Sequence, residues 1–133
     1  MSGAVQLIYL LWMLALPAPV LPGEIDAESI TVEIRGRAFI PDRVILHRGR
    51  KTALRFHNQD AELHAVVAKE LFLGSNLNVS GNGAPEFGPH GLTRVIIPPD
   101  GLAEIQFTPA GAGIFPYRCD MPGHDMQAML VVE

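Results

Sequence analysis

The sequence predicts an all-β domain of two sheets packed face to face, on three observations. Short stretches of apolar–polar alternation recur at roughly ten-residue spacing, the rhythm of a β-sandwich. Turn formers are abundant, with 13 Gly and 11 Pro in 133 residues, and they fall largely between those stretches. No heptad, internal repeat or convincing amphipathic helix competes with the two-residue period.

Residues 1–22 carry no charge, and 3–16 are apolar apart from Gly3 and Gln6, before Pro17, Pro19 and Pro22 end any helix. That run is short of the about 20 residues of a bilayer span and suits the apolar stretch of an export leader. No Lys or Arg precedes it and no clean cleavage site follows, so an uncleaved N-terminal membrane anchor is the rival reading. The expected division is a signal peptide or anchor over 1–22 and one folded domain over 23–133, exported to the periplasm or another extracytoplasmic space.

The first strand is expected at 29–35, where Ile30, Val32 and Ile34 alternate with Thr31, Glu33 and Arg35. Phe39 to Asp42 turns the chain through Pro41, and 44–46 forms a second strand that Gly49 closes. Residues 51–57 make the third, with Leu54 and Phe56 inward. Asn58, Gln59 and Asp60 supply turn chemistry before a fourth strand at 64–67. Residues 74–91, rich in Gly, Pro and Asn, read as a long loop; the stretch lacks the Gly-Lys-Ser/Thr of a phosphate cradle. Strands at 95–97, 103–107, 114–119 and 129–132 complete a set of eight.

The formal net charge is −4, with no basic stripe for nucleic acid to bind. Cys119 is the only cysteine, so no internal disulfide can form. A lone thiol in an exported chain is a liability unless it is buried as a small core residue or held by a metal as thiolate.

Cys119, His124 and Met129 fall at five-residue intervals near the end of the chain, within FPYRCDMPGHDMQAMLVVE. A thiolate, an imidazole and a thioether are three of the four donors of a mononuclear blue-copper site, which takes two His and one Cys plus a weak, long axial Met. Met121 and Met126 share the segment, but Met126 is only two places past His124 and Met121 lies between the stronger donors, so spacing favours Met129. The set wants a second nitrogen. Of His47, His57, His64 and His90, His64 follows a polar turn at the start of a strand, where a side chain can face one end of a sandwich.

Phe39-Ile40-Pro41, Val44 to Leu46, Gly49 and Asn58-x-Asp60-x-x-x-His64 resemble the N-terminal half of the cupredoxins, the small blue-copper proteins typified by plastocyanin and azurin. Phe107-Thr108-Pro109, Gly113 to Tyr117 and Cys119-x4-His124-x4-Met129 resemble their C-terminal half. The likeness runs from about residue 30 to the end, apart from 74–91. It implies an eight-stranded Greek-key sandwich, one type 1 copper ion, and electron transfer without substrate chemistry. It carries the ligand roles onto His64, Cys119, His124 and Met129. Redox proteins, a c-type cytochrome or a membrane oxidoreductase, are the implied partners. Ala128 stands where many members have Gly beside the axial Met, and a second loop cysteine, required by a binuclear copper centre, is absent.

In such a site backbone N–H groups hydrogen-bond the cysteine sulfur, and 59–65 is the expected source. His124 is expected on the solvent side, in a rim of Met121, Pro122, Gly123 and Met126. Rival readings are weaker: a zinc hydrolase leaves the Met unexplained, as does a cysteine hydrolase built on Cys119. A copper store or chaperone is the closest alternative, because Met-rich Cys/His loops also hold Cu(I).

Overall fold

The structure, a computed structural model, describes Gly3, residues 14–19 and residues 27–133. The leader expected over 1–22 therefore lies largely outside the described residues. No helix among the described residues is long and apolar enough to cross a membrane.

Among the described residues eleven strands and one short helix follow each other: β1 (Glu28–Ile34), β2 (Phe39–Ile40), β3 (Arg43–Leu46), β4 (Thr52–Asn58), β5 (His64–Val66), α1 (Lys69–Phe72), β6 (Asn78–Gly81), β7 (Ala84–Gly88), β8 (Gly91–Ile97), β9 (Leu102–Phe107), β10 (Gly113–Cys119) and β11 (Met126–Val132). One sheet runs β2-β1-β4-β9-β6. The opposing layer consists of β10-β11-β3 and β5-β8-β7, joined where Val67 bridges Arg118. Two pairings are parallel, β1 with β4 and β11 with β3; the rest are antiparallel.

Alternation explains which residues close the core. Ile34, Leu54, Phe56 and Ile105 come inward from the first sheet and Leu46, Ile97, Tyr117 and Leu130 from the second layer, all buried. Phe39, Phe56 and Tyr117 meet as a cluster with ring centroids 4.7–6.4 Å apart, in tilted and edge-on arrangements that suit the ring quadrupoles.

The all-β sandwich expectation holds, with two departures. The segment 74–91 is not one loop: it contains β6, on the edge of the first sheet against β9, and β7, on the edge of the second layer against β8. Its glycines serve the crossing between sheets. A side chain at Gly81 (φ 91°) would collide with the Leu102 carbonyl oxygen, and one at Gly83 would meet Ala103 Cβ at 2.7 Å. With β2, these account for the strands beyond eight. The final strand also begins earlier than expected, at Met126, which puts Met126 and Met129 on a common strand.

Candidate metal centre

β10 and β11 form a hairpin whose register puts Cys119, the last residue of β10, directly opposite Met126, the first of β11. Directly paired residues in an antiparallel ladder share a face. Cys119 and Met126 both point into the sandwich and are buried. His124 lies in the connecting loop, where its backbone N–H donates to the Met121 carbonyl at 3.0 Å.

The second layer brings His64 to the same end. It opens β5, opposite Ile97 of β8, and is completely buried. Asn58 fixes the preceding loop: its buried Nδ2 lies 2.8 Å from the Glu62 carbonyl and 3.1 Å from those of Ile97 and Pro98, while its Oδ1 accepts the Asp60 N–H.

Three donor atoms converge. His64 Nδ1 and His124 Nδ1 are 3.2 Å apart, Cys119 Sγ is 3.6 Å from His124 Nδ1, and it is 4.0 Å from His64 Nδ1. A triangle with these edges has a circumscribed radius of about 2.1 Å, and a first-row ion is held by imidazole at about 2.0–2.1 Å and by thiolate at about 2.3 Å. The residues present therefore fit a transition ion. The Ala65 N–H donates to Cys119 Sγ at 3.3 Å, from within the segment expected to supply it.

Of the four ligands expected from the sequence, the structure brings together His64, Cys119 and His124. It does not bring Met129. That residue pairs with Pro116, an odd number of places along β11 from Met126, so it faces away from Cys119. Its N–H is engaged by the Asp42 carbonyl. Met126 occupies the register opposite the thiol, and being buried it is not part of a solvent rim, which leaves Met121, Pro122 and Gly123 there. The His124 side chain is 8% exposed against 0% for His64, so His124 is the solvent-side imidazole. His47 and His57 are engaged by Glu28 and Glu33, at 3.2 and 2.9 Å.

A polar layer behind the histidines was not foreseen. Asp60 Oδ2 lies 2.8 Å from His64 Nε2 and also takes the Arg37 N–H, while Oδ1 takes the Gly36 N–H. Glu62 is gripped by both arms of the Arg37 guanidinium and lies 3.6 Å from His124 Nε2. Burial acts to raise the Asp60 carboxyl, but the amide hydrogen bonds and His64 outweigh it and hold it below the usual carboxylate range. The hydrogen bond from Arg37 lowers Glu62. On the opposite flank Arg94 of β8 spans Glu86 and Asp120, with Nη1 3.1 Å from Asp120 Oδ1, and so pins the residue next to Cys119. The one available signal was the four-residue interval from Asp60 to His64; nothing in the sequence linked Arg37 or Arg94 to the site.

The cupredoxin-like domain family matches residues 4–132. No curated protein matches the chain. Among solved structures, auracyanin A, a "blue" copper protein of the green thermophilic photosynthetic bacterium Chloroflexus aurantiacus, is 20% identical; the match covers 80% of this chain and 99% of that one at a TM-score of 0.59. Auracyanin B is 19% identical over 79% of this chain and 88% of its own, at 0.57. A methionine-to-leucine mutant of amicyanin, in its oxidised form, is 18% identical over 78% and 81%, at 0.55. At these identities the likeness concerns the fold.

Proposed function

We propose that this chain, which belongs to the cupredoxin-like domain family, is a mononuclear blue-copper electron carrier working outside the cytoplasm. His64, Cys119 and His124 form the trigonal set and Met126, in place of Met129, is the axial donor. The observation that carries the reading is the triangle of two imidazole nitrogens and one thiol sulfur with edges of 3.2, 3.6 and 4.0 Å. One soft thiolate and two borderline nitrogens, with a weak thioether donor, suit both Cu(II) and Cu(I), so one bound copper ion supplies reversible one-electron chemistry.

The chain's own part is to hold the donors still and dry. His64 and Cys119 are buried, which leaves a route for an electron and little for a substrate's atoms. Each donor is fixed by a different element: His64 by the Asn58-braced loop, Cys119 by the β10–β11 ladder and the Ala65 amide, His124 by its hairpin loop. A set braced this way moves little when the charge at its centre changes. The exposed Pro122 and Gly123 beside His124 form a small docking rim of the size that weak redox encounters use. A c-type cytochrome or membrane oxidoreductase is the proposed partner, and residues 1–22 are the proposed leader or anchor that takes the domain over 23–133 to its compartment.

A copper store is the second reading, favoured by the half-buried Met121 between Cys119 and His124. Optical and EPR spectra of the copper-loaded protein separate the two. The carrier gives intense thiolate-to-copper colour in the oxidised form, lost in Cys119→Ser. A colourless complex that holds only Cu(I) rejects the carrier and supports storage.

A further inference from the structure

The turn between β1 and β2 is a two-residue hairpin loop, closed by paired Arg35 and Ala38 backbone groups, of the kind that needs left-handed backbone at both central residues. Gly36 and Arg37 both adopt left-handed backbone, at φ 59° and 55°. Glycine does so freely, and Arg37 takes the second left-handed place that this loop requires. The arrangement points two successive N–H groups at one carboxylate, that of Asp60, at 2.8 and 2.9 Å. The same Arg37 turns its guanidinium onto Glu62, with Nη2 2.8 Å from Oε2. One turn thus holds two carboxylates, and both face the outer nitrogens of the histidines: Asp60 at 2.8 Å from His64 Nε2, Glu62 at 3.6 Å from His124 Nε2.

We infer that Asp60 and Glu62, held by the Gly36–Arg37 turn, are positioning residues: Asp60 fixes which nitrogen His64 presents inward, and the two carboxylates together bias the site toward Cu(II). This rests on the blue-copper reading. A carboxylate hydrogen-bonded to His64 Nε2 keeps the proton there and leaves Nδ1 as the free donor. Asp60, Glu62 and Arg37 together carry one net negative charge behind the ligands. Negative charge at that place favours the more positive oxidation state. Neutralising Glu62 also leaves the Arg37 cation uncompensated, which pushes in the same direction.

Two measurements on the full chain test it. In the copper-loaded protein, Glu62→Gln and Asp60→Asn should each shift the Cu(II)/Cu(I) equilibrium toward Cu(I), by on the order of tenfold, or 59 mV for a one-electron couple. Glu70→Gln, at an exposed position of α1, removes the same charge and should leave the equilibrium in place. An unmoved couple in both site variants, a shift toward Cu(II), or an equal shift in Glu70→Gln overturns the inference. In the copper-free protein at about pH 8, above the imidazole range, long-range 1H–15N spectra should show His64 as the Nε2–H tautomer and Asp60→Asn as a mixture. An unchanged tautomer overturns it as well. A colourless wild type, by contrast, sinks the carrier reading, and the tautomer measurement still decides the role of Asp60.

Discussion

Met126 and Met129 are three places apart on β11, and along a strand three places is a change of face. Counting residues from His124 favours the later methionine; the ladder favours the earlier one, because β10 ends on Cys119 and the hairpin closes immediately opposite it. Met126→Leu should keep the copper and its colour while shifting the couple toward Cu(II)'s easier reduction, that is, to higher potential. Met129→Leu should leave both unchanged. Voltammetry of the two variants checks the assignment, and the reverse pattern restores Met129. Tyr117 gives a second residue-scale prediction. Its hydroxyl is buried without a protein partner among the described residues, and burial, with Asp42 nearby, pushes the phenol above its ordinary range. Removing an unpaired buried hydroxyl relieves a desolvation penalty, so Tyr117→Phe should be neutral or stabilise the copper-free protein by up to about 1–2 kcal/mol in urea unfolding. The pH dependence has a definite sign. The folded state keeps the proton and the unfolded state releases it near pH 10, so this group's contribution is present below about pH 10 and is lost as pH rises beyond it. The advantage of Tyr117→Phe over the wild type should therefore widen above that pH.

At the scale of elements, the strands whose alternation was clean are the strands that wall the core: β1, β4, β9 and the inner positions of β10 and β11. β6 and β7 escaped because they lie on sheet edges with most residues exposed, so no burial enforces a two-residue period on them. Glycine in that stretch reads as loop composition, whereas its physical role is to let the chain leave one sheet and join the other. Gly81→Ala combines an unfavourable φ with a collision against backbone, and it should destabilise by about 2–4 kcal/mol. Gly111→Ala, with open space around the added methyl, should stay within about 0.5 kcal/mol. Equal effects in denaturant melts would show that the β6–β7 crossing tolerates a side chain. The convergence of His64, Cys119 and His124 was legible because two lie within one short stretch of chain and the third follows a marked turn. The Arg37 bracket was not, since its contacts span 23–25 residues of chain and depend on the parallel β1–β4 pairing.

For the molecule as a whole, a bound ion ties together pieces that are distant in the chain. Copper binding to the folded form alone stabilises it by about 4 kcal/mol when free copper exceeds the dissociation constant a thousandfold. The loaded protein should then melt on the order of 15 °C above the copper-free one, and Cys119→Ser should lose most of that gain in calorimetry. Without the metal, the same end of the sandwich holds two imidazoles and a thiol within about 4 Å.

The strand order carries a consequence for assembly. β11 is the last of the described strands in chain order, yet it lies between β10 and β3, with its parallel partner β3 some eighty residues earlier. Until residues 126–132 have emerged and slotted into that gap, β3 has no neighbour in its layer and neither Met126 nor the hairpin carrying His124 is in place. A chain cut short before residue 126 would thus offer His64 and Cys119 without the strand that closes their end of the sandwich, so the metal site is complete only once the whole fold is.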